Sequence, residues 1–309
     1  MRGEKGFALV ITLIVTALLV ALLVEFVNEV YVDTSHSHNF VASQQASILA
    51  QSGIQGGIKL LQYSPIQRGS TEYSTLSDTW AKPFTRASDE GSVTITIEEE
   101  TGKFNINTAT ASNGTPNSYT DVAKRLFKNL QLSPDLTDVV MDWVDENETP
   151  MSNGAETSYY STLKPPYKSK GARLETFGEL GLLKGFTPEV LLKLRPYLTV
   201  YGGQDNETAT PININTAPKE VLQALDDSIT EDIAQRIVDY RKTTPITRNN
   251  HAIAGVDTIW PKIVTNIVFA GRVYRIHAEG KVGESTSVAE AVVRVDGSNV
   301  SPPIYWREY

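Results

Sequence analysis

The beginning of the chain limits its folding most. From Phe7 to Val24 the sequence is apolar, interrupted only by Thr12 and Thr16, with no charge, proline or glycine. At roughly 1.5 Å of rise per residue, these 18 residues reach about 27 Å as a helix, close to the hydrocarbon thickness of a bilayer. A backbone in lipid must satisfy its own hydrogen bonds, so such a run is helical there. A cleaved secretory signal needs small residues after its apolar part. Val24-Glu25-Phe26-Val27-Asn28 offers none. The run therefore reads as a single membrane helix rather than a removed signal or a buried core helix. Arg2 and Lys5 precede it, and the positive-inside rule then keeps the amino terminus in the cytoplasm. Everything after Val24 lies beyond the membrane, in the periplasm if the membrane is a Gram-negative inner membrane.

The helix is expected to continue past the lipid. Ala42, Ala46, Leu49, Ala50, Gly53, Ile54, Gly57, Ile58 and Leu61 recur at three- and four-residue steps, one apolar stripe on a helix. Its small residues suit close packing, and Pro65 and Gly69 are expected to end it. Residues 66–91 are polar and turn-rich. Three segments then alternate β-branched or apolar residues with polar ones: 92–100, 272–280 and 288–295. They predict one small antiparallel sheet against the stem helix. The stretch between them, 105–271, reads as a helical insertion. It holds an internal near-repeat, Asn105-Ile106-Asn107-Thr108-Ala109 and Asn213-Ile214-Asn215-Thr216-Ala217. Helices are expected at 119–130, 135–144, 188–198, 218–225, 231–240 and 260–269. The fold class is α+β: a long transmembrane and stem helix on a small antiparallel sheet, with a large all-α insertion. The units are a leader, 1–6; the helix, 7–62; an αβ domain, 63–104 with 272–309; and the insertion, 105–271.

Composition narrows the function. There is no cysteine, which excludes disulfides and thiolate chemistry. The net charge of −8 favours cations over polyanions as partners. No glycine-rich phosphate loop, His-Glu-x-x-His or Gly-x-Ser-x-Gly motif occurs, and the chain is read as no enzyme. The densest polar group is Asp142-Trp143-Val144-Asp145-Glu146-Asn147-Glu148, followed by Gly154-Ala155-Glu156. Calcium takes six to eight hard oxygen ligands in flexible geometry. Asp142, Asp145, Asn147 and Glu156 are the candidate ligands, with Asp142 one helical turn before Asp145. The spacing is not that of an EF-hand. An acidic carboxyl end of a helix is unfavourable with the macrodipole unless a cation is present.

The residues before the apolar run add a resemblance. Gly6-Phe7, after a short basic leader and ahead of the helix, resembles the prepilin cleavage signal of type IV pilins and type II secretion pseudopilins. The resemblance implies that a prepilin peptidase cuts between Gly6 and Phe7 and methylates the new terminus at Phe7. Most members of that group carry glutamate at the fifth mature position, which here is Ile11. Its absence, the framed insertion and the Asp-Trp-apolar-Asp segment resemble the K family of minor pseudopilins. That family implies a structural subunit at the tip of the type II secretion pseudopilus, supporting secretion across the outer membrane. It also implies a calcium-binding loop, other minor pseudopilins as partners, and contact with secreted proteins. A minor pilin of a type IV pilus is the alternative reading. A third comes from the second repeat, which with 221–225 and 234–241 resembles the helix-hairpin-helix (SAM-like) module of DNA-uptake proteins. There the hairpin glycines are replaced by Asp226-Asp227, which places carboxylates where a phosphate would sit, so no nucleic acid partner is expected.

Overall fold

The computed structural model describes residues 3–111, 113–202, 204, 209–253 and 255–309. Met1 and Arg2 of the expected leader lie outside the described residues, as do residues 112, 203, 205–208 and 254 of the expected insertion. The chain opens with α1, Gly3–Arg68. Strands β1, Phe84–Ser88, and β2, Gly91–Glu99, follow. Next come β3, Phe104–Asn105, and helices α2, Ser118–Asn129, α3, Leu136–Val144, α4, Thr157–Tyr160, and α5, Pro188–Leu194. Strands β4, Leu198–Thr199, and β5, Ile212–Asn213, lead to α6, Lys219–Ala224, α7, Glu231–Arg241, and α8, Trp260–Ile263. The chain closes with β6, Ile267–Val268, β7, Val273–Val282, β8, Ser285–Asp296, β9, Asn299–Val300, and β10, Tyr305–Glu308. This is the mixed α+β class expected from the sequence.

The main sheet runs β1-β2-β7-β8-β10, with β9 also on β8, and every pairing is antiparallel. One face lies on the second half of α1. Ala50, Ile54 and Leu61 of the helix join Ile95, Ile97, Ile276, Ala278, Ala289, Ala291 and Val293 of the sheet in one buried cluster. The approach is closer than side chains normally allow. A Cβ on Gly57 would lie 2.6 Å from Ile276 Cγ2, and one on Gly53 2.7 Å from Ala278 Cβ. A Cβ on Gly280 would meet the backbone of α1 itself, 2.7 Å from Ala50 N. These glycines let helix and sheet touch. The first half of α1 is not packed on by the described residues: Phe7, Leu13, Leu18 and Leu23 are all exposed.

Four expectations are corrected. Pro65 does not end α1, which continues to Arg68. A proline removes only its own N–H, and the turn beyond it closes through Ser70 N on Pro65 O, with Gly69 at φ +72°. The polar stretch 66–91 contains a strand, β1, paired with β2. The helices expected over 188–198 and 260–269 are shorter, ending at Leu194 and Ile263, because their last residues become strands. The insertion is therefore not all-α.

Those strands explain the sequence repeat. β3 pairs in parallel with β4, and β5 with β6. Each repeat begins at such a pair and is built the same way. Asn107 donates through Nδ2 to Leu174 O and Val200 O, both at 2.9 Å, and accepts Leu174 N–H. Asn215 donates to Ile246 O at 2.9 Å and Phe269 O at 3.1 Å, and accepts Ile246 N–H. Asn105 and Asn213 accept from the N–H two residues on. Each repeat is thus one module, clasped by a buried amide that reaches far along the chain. Glu99, buried at the end of β2, joins the second module to the sheet. It accepts from Ser74 Oγ at 3.1 Å, Asn213 Nδ2 at 2.8 Å and Thr216 Oγ1 at 3.0 Å.

Truncating a clasp leaves several buried backbone groups unpaired, at about 1–3 kcal/mol each. Asn107→Ala and Asn215→Ala are each expected to destabilise the full chain by about 3 kcal/mol in detergent-solubilised urea unfolding. Asn215→Asp, which keeps an acceptor but loses the donors, should lose stability as well. A loss below about 1 kcal/mol for both alanine variants would show that the amides do not hold the modules.

Candidate metal centre

The candidate ligands lie where α3 gives way to a loop. Asn117 caps α2 through bonds to Tyr119 and Thr120 N–H, and α2 and α3 pack on one core. That core fixes the end of α3, so Asp142 and Asp145 are buried although acidic. Asp145 sits at the helix end, its N–H bonded to Met141 O at 3.0 Å. Its carboxylate turns the chain by accepting from Asn147 N–H at 2.9 Å. Asp142 accepts Met151 N–H at 3.0 and 3.1 Å through its two oxygens, which folds the loop back. The returning loop delivers Glu156 at the start of α4.

Carboxylate oxygens of Asp142, Asp145 and Glu156 come within 4.8 Å of one another. All three residues are buried, and no group among the described residues meets hydrogen-bond geometry with either Glu156 oxygen, the Ser169 hydroxyl only partly easing its burial. Burial pushes Glu156 up to about 7, aided by repulsion from Asp142, Asp145 and Glu148. Burial likewise pushes Asp142 up to about 6, with Asp145 and Asp138 adding repulsion, and raises Asp145. Asn147 is exposed and stands beside Asp145 rather than among the three: its Oδ1 accepts Thr149 N–H at 2.8 Å. Two glycines complete the site: Gly154, seen in the sequence only as a neighbour of Glu156, and Gly114, which sequence reasoning missed. A Cβ on Gly154 would overlap the Asp142 carboxylate, and one on Gly114 would overlap that of Asp145. Gly114 comes from a loop some thirty residues earlier, and no sequence pattern signals that contact.

Family models described as type II secretion system protein K match residues 102–203 and 212–257, which are the two modules of the insertion. The chain belongs to the type II secretion system protein K family. A protein K of Pseudomonas aeruginosa is 26% identical over 250 residues, covering 78% of this chain and 73% of the relative. Those of Pectobacterium carotovorum subsp. carotovorum and Klebsiella pneumoniae are 31% and 28% identical, with matches spanning 44% and 52% of each chain. A chain in the crystal structure of the GspK-GspI-GspJ complex of enterotoxigenic Escherichia coli shares the fold. Its TM-score is 0.68 at 17% identity, over 90% of this chain and 99% of that one.

Two further candidate regions of this protein K chain can be placed. Gly6 and Phe7 lie on α1, with open space around Gly6 and Phe7 70% exposed. The helix that follows is the one described helix long and apolar enough to cross a membrane. At the hairpin between α6 and α7, Asp226 Oδ1 accepts Ser228 N–H at 2.9 Å, so that amide is already used. Lys262 faces Asp226 at 3.7 Å and Arg125 pairs with Asp227 at 3.3 Å.

The raised carboxylates set a pH dependence whose sign is fixed. In metal-free buffer the native chain keeps protons on Glu156 up to about pH 7 and on Asp142 up to about 6. The unfolded chain releases them near 4.5 and 3.8. This contribution is therefore complete below the unfolded values and is lost as pH rises through the folded ones. Melting curves between pH 5 and 8 should show stability falling with pH. Glu156→Gln should flatten the fall and melt higher than the parent at pH 8. Parallel profiles for parent and variant would refute the repulsion.

Proposed function

We propose that this chain is the K-type minor pseudopilin of a type II secretion system, a structural subunit at the tip of the pseudopilus and not an enzyme. The observation that carries the reading is the single helix α1, bare and apolar in its first half and clamped to a sheet in its second. A bare half must be covered by lipid, or by the stems of neighbouring subunits in a fibre. The two-module insertion is too bulky to be enclosed between stacked subunits, which favours a terminal position. Ile11 fits the same place, because a carboxylate within the apolar run would need a partner there. The stem anchors the chain in the inner membrane, amino terminus inside and the sheet domain in the periplasm. Its partners are other minor pseudopilins, packed stem to stem as the three-protein E. coli complex suggests, with secreted proteins in passing contact. The second module is a helix-hairpin-helix (SAM-like) fold whose anion position is filled by Asp226, which argues against DNA uptake.

The acidic centre is a structural calcium site. Asp142, Asp145 and Glu156 would hold the ion, with Asn147 at the rim as a further oxygen donor. The fit rests on the two orphaned Glu156 oxygens and on the room left by Gly154 and Gly114. Calcium would neutralise three crowded carboxylates and hold the loop between α3 and α4 to the first module.

Two measurements test the reading. Isolated from cells with a type II secretion system, the chain should begin at N-methylated Phe7. A single cysteine placed at exposed Gln44 should cross-link to other minor pseudopilins. An intact Met1 or no cross-link would remove the pseudopilin assignment. Separately, calcium should raise the melting temperature relative to chelator, magnesium should do so less, and Asp145→Ala should abolish the rise. At a hundredfold excess over Kd the gain is about 2.7 kcal/mol. Melting curves indifferent to calcium and chelator would remove the metal site.

A further inference from the structure

The face of the main sheet turned away from α1 carries a row of alternating charge. Glu98 on β2 lies opposite Arg275 on β7, and Glu290 on β8 opposite Arg307 on β10. Arg275 is fully engaged: its Nε donates to Glu100 at 2.8 Å, and Nη1 pairs with Glu290. The turn Phe177–Leu182 and the end of α5 stand over this face. Between them and the sheet lies a cleft of about 580 Å³. Arg195 lines it from the insertion side, and Arg307 from the sheet side. Neither is paired with a carboxylate among the described residues, and both are exposed. Two guanidinium groups without a carboxylate partner among the described residues, that of Arg307 lying over the Tyr309 ring at 5.0 Å, face one cleft of a chain whose net charge is −8.

The rest of the lining says what such a cleft would hold. Tyr305 and Tyr309 flank Arg307, and all three line the cleft. That places side chains along β10 at every second residue, the period of an extended chain. β10 is the last strand of the sheet and pairs only with β8. An unpaired edge can take another strand through main-chain hydrogen bonds while side-chain pockets read alternate residues. Guanidinium groups recognise carboxylates by paired charge-assisted bonds, and tyrosines supply amphipathic contact area. We infer that this cleft binds an extended acidic peptide segment, its carboxylates held by Arg195 and Arg307 and its backbone running along β10.

The test uses the full chain in uncharged detergent and a fluorescent peptide of alternating valine and glutamate, with glutamine replacing glutamate in a control. Fluorescence anisotropy should give at least about tenfold tighter binding of the acidic peptide. Arg195→Ala and Arg307→Ala should each weaken it about tenfold with unchanged melting. The double variant should treat both peptides alike. Equal affinity for the two peptides, or an acidic preference that survives the double variant, would overturn the inference. So would inorganic phosphate displacing the peptide at equal concentration, which would mark a bare anion site.

Discussion

The structure depends on how closely α1 approaches the sheet. A helix normally stands off a sheet by the thickness of its side chains. Here Gly53 and Gly57 on the helix and Gly280 on β7 remove that spacer, and Ala46, Ala50 and Ala278 keep neighbouring positions small. Dispersion and burial both gain from such contact, and the fit tolerates little sliding or rotation. The head is thus fixed to the stem, and a force or displacement along the helix reaches the head without a hinge in the contact. Before residue 42 the described residues of the same helix are exposed, with an apolar run long enough to cross a membrane, whereas its second half lies on its own sheet.

The insertion joins that sheet through buried polar groups as well as through Val273 and Val292, which belong to its apolar core. Glu99 meets Ser74, Asn213 and Thr216 at the second module. Burial pushes Glu99 up to about 7, only partly offset by those hydrogen bonds. Its neighbour Glu100 is also buried, yet Lys103 and Arg275 hold it below the usual carboxylate range. Adjacent carboxylates thus serve different ends: one takes hydrogen bonds from the second module, and the other takes charge from cations around the outward cleft. Buried polar contacts of this kind are worth little unless fully satisfied, and in return they fix orientation.

The acidic centre and the outward cleft are opposite cases of the same electrostatics. In the first, the fold gathers three carboxylates that form no ion pair among the described residues, which is unfavourable unless protons or a metal ion intervene. In the second, two arginines form no ion pair with a carboxylate among the described residues. Both regions sit on the insertion or where it meets the sheet.

Local pattern alone determined the membrane helix, the stem stripe, the three long strands and the helices α2, α3, α6 and α7. Each is written in a period of 3.6 or 2 within a few turns or residues of chain. It also pointed to Asp142, Asp145 and Glu156, because acidic residues at a helix end are conspicuous without any fold. The Asn-Ile-Asn-Thr-Ala repeat was legible, but its meaning was not. Asn107 and Asn215 act on carbonyls up to 93 and 54 residues away, a distance at which local sequence carries no information. Strands β3 to β6 are two residues long, too short for any period, and exist only because parallel partners meet. β1 and β10 join the sheet through antiparallel partners, β2 and β8, that their own short sequences do not announce. Asn147 has the same oxygen chemistry as its neighbours, and the turn made by Asp145 leaves it at the surface. Whether a side chain joins a site is decided by where the backbone aims it, and that is set by packing between distant parts of the chain.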